Sequence, residues 1–187
     1  MAKNLEALVQ TVLTCGAAGA AVLDGAQVVL NEEFRRICEG NGCGNFGKCY
    51  MCPPDIGDIH TLMKQVRRYD RALLYQSIAS LEDSFDFEGM MQAGHTHAML
   101  SQRVEKALEP LLGAEHLHLS SGGCHLCQVC AKREKLPCRH PKQALGSLEG
   151  YGVDVYNTTL ATPLRYINGQ NTVTYFGLVL FSEVAYG

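Results

Sequence analysis

Cysteine constrains this chain more than any other residue. Nine cysteines occur in 187 residues, and all but Cys15 fall in two short runs, Cys38-x4-Cys43-x5-Cys49-x2-Cys52 and Cys124-x2-Cys127-x2-Cys130-x7-Cys138. The N-terminal residues Met1-Ala2-Lys3-Asn4-Leu5-Glu6 lack the basic-then-apolar layout of a secretory signal. Closely spaced thiols in such a chain predict metal or cluster ligands in a reducing, cytoplasmic compartment rather than a disulfide framework.

The second run carries the stronger signal. Three cysteines at intervals of three let one short loop wrap a four-iron cube and reach three of its corners, with Cys138 left for the fourth. Ser121-Gly122-Gly123 just before it adds little bulk, so the backbone can turn tightly against a cluster. Zinc is the alternative. Structural zinc sites pair two short ligand units across a longer stretch, a pattern this run lacks, although His125 and His140 are within reach in sequence. Lys132, Arg133, Lys135, Arg139 and Lys142 crowd the loop. They suit stabilisation of an anionic cluster, docking of an acidic electron donor or an anionic substrate, or simple solvation.

The first run is less regular. Its tail, Cys49-x2-Cys52-Pro53, resembles the close of a ferredoxin-type motif, and all four cysteines count as candidate ligands. Gly42-x-Gly44-x-x-Gly47 matches the dinucleotide fingerprint in letters only. It follows the charged, helix-like segment 32–39 instead of a strand, so nucleotide binding is not expected there. Cys15 follows an apolar helix and reads as a small buried residue.

Around the runs, apolar spacing predicts helices over 5–13, 59–66 (entered from Asp55) and 90–111, with a further short helix over 143–149. Extended segments are expected at 20–23, 27–30, 71–79, 116–120 and 172–181. Strands alternating with helices favour an α/β domain, with a mostly parallel or mixed sheet of about four to six strands, flanking helices and two cysteine-rich loops. The whole chain, 1–187, is expected to form one metal-binding domain, with a pseudo-repeat over 20–80 and 115–182. If both loops follow strands, they would gather at one edge of the sheet. Hydrophobic residues make up 47% of the chain, enough for a conventional core, and the net charge of −3 argues against nucleic-acid binding. No stretch approaches the ~20 apolar residues that span a bilayer.

Beyond the cysteines, the chain resembles an uncharacterised family of predicted metal-binding proteins of bacteria and archaea. The resemblance runs from about Phe34 to Phe181. It is carried by Phe34-Arg35, Cys38, Asn41, Cys43-Gly44, Phe46-Gly47 and Cys52-Pro53-Pro54, then by the stretch from Asp83 to Met90. Gly122-Gly123-Cys124, Cys127, Cys130, Pro137-Cys138-Arg139, Ser147, the stretch from Glu149 to Asp154, and that from Thr172 to Phe176 continue it. The family's first motif has cysteines at the positions of Cys38, Cys43 and Cys52 but another residue at that of Cys49. The resemblance therefore implies either a fourth ligand in Cys49 or a three-thiolate first site with one iron open to a substrate.

His97 lies on the apolar stripe of the long helix and reads as a core histidine, with His95 pointing elsewhere. His116 and His118 share one face of a strand. The run Glu82, Asp83, Asp86, Glu88 reads as a solvated helix entry with Asp86 as cap. The functional expectation is an iron–sulfur protein with one or two 4Fe-4S clusters, serving electron transfer or a redox enzyme. A zinc-binding or structural-cluster module without redox activity, or a cluster-delivery partner, is the alternative.

Overall fold

A computed structural model describes residues 2–113 and 115–182. The elements run α1 (Ala2–Thr14), β1 (Gly19–Asp24), α2 (Glu33–Glu39), α3 (Ile59–Val66), β2 (Arg71–Ser80), α4 (Phe87–Leu112), β3 (Leu117–Ser120), β4 (Gly146–Ser147), α5 (Val155–Thr159) and β5 (Thr172–Phe181). The five strands form one open sheet in the order β1-β2-β5-β3-β4. It is mixed: β1/β2, β2/β5 and β3/β5 pair antiparallel, and only β3/β4 is parallel. The fold is α/β, a mixed sheet with flanking helices, as expected; five α-helices occur among the described residues.

Alternation along the central strands builds a core on each face. Leu73 and Tyr75 of β2, with Val179 and Phe181 of β5, pack against Leu8 and Val12 of α1 and Leu100, Val104 and Leu108 of α4. On the other face Ala72, Leu74, Leu178 and Leu180 meet Leu62 and Val66 of α3 and Leu148, Tyr151 and Val153. The stripe of α4 begins as its spacing predicts, with Ala93, His97, Leu100 and Val104 buried. It continues through Leu108 and Leu112, while Leu111 is exposed.

Three local expectations need correction. Segment 27–30 is not a strand: a 3-10 turn at Gly25–Gln27 ends β1, and Leu30 makes only an isolated bridge to Val153. Gly25 lies so close to the Tyr69 carbonyl that no Cβ fits, and its N–H donates to Asp70 O, so the chain must turn away. Segment 143–149 is not a helix. Gly146 and Ser147 instead pair with β3, and Leu148 N–H donates to Ser120 O. The cap of α3 is Asp58, which accepts from Thr61 N–H, and not Asp55. The first cysteine loop accordingly follows helix α2, whereas the second leaves the end of β3.

Candidate metal centre

Each loop is shaped by short local hydrogen bonds. In the first, Asn41 takes a left-handed conformation, and its side-chain oxygen accepts from Phe46 N–H at 3.1 Å. Gly47 N–H donates to Pro53 O and Cys52 N–H to Cys49 O, closing the tail on itself. The second loop is rooted on β5: Ser121 Oγ donates to Phe176 O at 2.7 Å and accepts from Phe176 N–H at 3.0 Å. Its far end is held by Arg139, which donates to Val129 O and pairs with Glu134.

The two loops touch. Lys132 of the second forms an ion pair with Asp55 of the first and lies over the Tyr50 ring, and Tyr50 Oη donates to Leu136 O at 2.8 Å. Gly123 sits where a Cβ would meet Asn45 at 2.9 Å and Cys52 Sγ at 3.5 Å, so the second loop passes directly over the first. Glycine is the residue that permits this approach.

The eight thiols of the runs sort into two neighbouring groups. Cys38, Cys43 and Cys52 face a cavity of about 390 Å³, walled by Phe34, Ile37, Phe46 and Pro53, with Gly122-Gly123 and Glu149 at its side. Cys49 turns away from its own run and joins Cys124, Cys127, Cys130 and Cys138 around a second void, where His140 also stands. Cys49 is thus the hinge between the groups, within hydrogen-bond reach of both Cys52 and Cys130. A wide cleft of about 850 Å³ opens over both loops, with Lys48, Arg133, His95 and His125 on its walls. Cys15 is only half-buried, and its thiol lies 3.8 Å from Arg103 O, remote from both groups.

The electrostatics follow from this crowding. The hydrogen bond from Cys52 draws the Cys49 thiol down to about 6, and the same shared proton, with burial, pushes Cys52 up. Burial raises Cys124 to about 11. Cys38 is raised by burial first, then by the charges of Glu149 and Cys43. Glu149, raised by burial, accepts from Gly122 N–H at 3.3 Å. Among the described residues, no three His, Cys, Asp or Glu side chains converge as ligands of a single metal ion would. The thiols surround spaces instead of meeting at a point.

The sequence model of the family described as predicted metal-binding protein (DUF2284) matches residues 21–181. The chain belongs to that family. The match takes in both cysteine loops and all five strands except the first two residues of β1. No curated protein and no solved structure matches the chain. Family membership therefore supports metal binding, without naming the metal.

All eight cysteines expected as ligands lie in these two groups, and Cys49 of the first loop lines the void of the second. Glu149 was not singled out as a site residue by sequence reasoning. Only its place in the Glu149-Gly150-Tyr151-Gly152 stretch shared with the family hinted at it. His97 is a core residue, with Nδ1 at 2.8 Å from Ser77 Oγ and Nε2 buried without a hydrogen-bond partner among the described residues. Asp86 caps α4 as expected, accepting from Gly89 N–H at 2.8 Å. Among the described residues, no helix is long and apolar enough to cross a membrane.

Proposed function

We propose that this protein binds two 4Fe-4S clusters and works in electron transfer or as part of a redox enzyme in a reducing, cytoplasmic setting. Cys124, Cys127, Cys130 and Cys138 would hold one cluster completely. Cys38, Cys43 and Cys52 would hold the other and leave one iron without a protein thiolate. The observation that carries this reading is the three-thiol cavity: Cys49 is drawn toward the second group, so the first keeps three sulfurs around a space larger than they need.

The donor set is all sulfur, and a glycine pair lies against it where backbone N–H groups can donate to cluster sulfides. The first group surrounds about 390 Å³, whereas the void inside the second is about 20 Å³, so the second loop must open outward to take a cluster. When bound, a cluster of this kind supplies one-electron transfer and, at an iron lacking a thiolate, a coordination position for a substrate. The chain's own part is to hold the thiolates, to shield the first site with Phe34, Ile37 and Phe46, and to present Lys48 and Arg133 on the cleft wall. That rim suits an acidic electron donor.

Paramagnetic resonance of anaerobically purified, reduced protein tests the assignment. Two cluster signals are expected. Cys38→Ser should remove one and Cys130→Ser the other, while Cys49→Ser should keep both. Loss of both signals in each single variant would point to one shared site and contradict the reading.

A further inference from the structure

The first cysteine group is one thiolate short of a four-cornered cluster, and the wall of its cavity carries a carboxyl able to bind iron. Cys38, Cys43 and Cys52 face that cavity together with Ser147 and Glu149. Phe34, Ile37, Phe46 and Pro53 on the same wall have no side-chain donor atom. Ser147 Oγ is engaged within its own turn, where it accepts from Gly150 N–H at 3.0 Å. Cys49, the other thiol of the run, lines the neighbouring void. Glu149 remains.

The fold holds Glu149 on a firm base. It stands just beyond β4, and Leu148 N–H donates to Ser120 O at 3.0 Å, so the turn is rooted in the sheet. Tyr151 N–H donates to Ser147 O and Gly152 N–H to Glu149 O, which closes the turn. Gly152 takes a φ of 72° there, a conformation suited to glycine. Arg35 of α2 reaches across to the same turn, donating through Nη2 to Gly150 O at 3.1 Å and to Gly57 O at 2.9 Å. Cys38 follows Arg35 by three residues, so the two share a side of α2. One short helix thus clamps the Glu149 turn and delivers a thiol to the cavity beside it.

The carboxyl has no counter-ion. Backbone N–H groups of Gly122, at 3.3 Å, and of Glu149 itself reach it, and among the described residues no Lys or Arg forms an ion pair with it. Its charge is the one felt most by the Cys38 thiol. A carboxylate among phenyl rings and thiols is unfavourable until a cation joins it. Iron is such a cation, and a carboxyl that binds it gives its proton to solvent, as the thiols do.

We propose that Glu149 is the fourth protein ligand of the first cluster, completing a set of three thiolates and one carboxylate oxygen. This rests on the cluster reading above. Oxygen is a harder donor than thiolate and suits the iron of a sulfur-rich cluster less well. Glu149 therefore caps the position at rest and leaves it exchangeable, whereas a fourth cysteine would close it.

Electron–nuclear double resonance on the anaerobic, reduced protein tests the assignment, with glutamate labelled by carbon-13 at its side-chain carboxyl. Wild type should show carbon-13 coupling to a cluster spin, and Glu149→Gln should abolish it while every other glutamate stays labelled. On mild oxidation with ferricyanide, Glu149→Ala should release about one of about eight irons and develop a three-iron signal. Wild type, Glu149→Cys and Cys49→Ser should keep their iron under the same treatment. Both cluster signals without carbon-13 coupling in the wild type, or coupling that persists in Glu149→Gln, would overturn the ligand alone. Iron loss from Cys49→Ser with none from Glu149→Ala would do the same. Protein that holds no iron–sulfur cluster would overturn the cluster reading and the ligand with it.

Discussion

At the scale of single residues, the sharpest predictions concern Cys49 and Glu105. The thiols of Cys49 and Cys52 share a proton across the boundary between the two groups, and in the proposed account Cys49 is an auxiliary thiol and not a fourth ligand of the first site. Cys49→Ser should therefore keep about eight irons per chain, the content of two four-iron clusters, whereas Cys52→Ser should lose roughly half. Iron analysis after anaerobic purification reads this directly.

Glu105 makes a pH prediction with a definite sign. Its carboxyl is held below its ordinary 4.5, near 2, in the folded protein. Its contribution to stability is complete above the ordinary carboxylate range and is lost as pH falls from about 4.5 toward about 2. Wild type should lose stability through that window in urea titrations, and Glu105→Gln should lose less. The same variant should bring the raised His116 back down, since the Glu105 hydrogen bond is the main cause of its shift. Proton NMR titration of His116 measures that. The thiols that the structure gathers are visible in the sequence as two runs of short spacing. Glu105 and Glu149 could not be found that way. Each acts through partners distant in sequence, His118 for one and Gly122 for the other.

At the scale of elements, long periodic segments were legible and short ones were not. The helix over 87–112 shows its apolar stripe from Ala93 to Leu112 and is capped by Asp86, whose side chain also accepts from Glu82 N–H. Asp86→Ala should cost about 1 kcal/mol in chemical denaturation, the usual loss when an N-cap side chain is removed. The strands β2 and β5 were readable because each is ten residues of β-forming sequence. Leu178 of β5 is fully buried between neighbouring strands, so Leu178→Ala should destabilise by about 2–5 kcal/mol. Segments 27–30 and 143–149 misled because tertiary contact decided them. A glycine pressed on the Tyr69 carbonyl ended one, and pairing with β3 extended the other. Helix α5 covers only five residues and shows no repeat to detect.

At the scale of the molecule, the sheet and the cysteine loops are built by different forces. Two apolar cores clamp the sheet from both faces, and neither includes a thiol of the two runs. The loops are held by turns, by the Lys132–Asp55 pair and, in the proposed account, by iron. Removing the clusters with a chelator under mild oxidation should therefore expose backbone amides of residues 40–58 and 121–145 to hydrogen exchange. Amides of β2 and β5 should stay protected. The antiparallel majority of the sheet was the hardest feature to foresee, because alternating strands and helices ordinarily signal parallel crossovers. Here β5, the last strand in the chain, inserts at the centre between β2 and β3 and reverses both pairings. Long-range insertion of that kind leaves no local trace in the residues.

In the proposed reading, sulfur from two touching loops binds iron in two clusters, one of them incompletely ligated. Iron, acid-labile sulfide and zinc, measured together on protein purified without oxygen, test it most directly. A brown protein with about eight irons and about eight sulfides per chain is expected. A colourless protein containing stoichiometric zinc and no sulfide would contradict it.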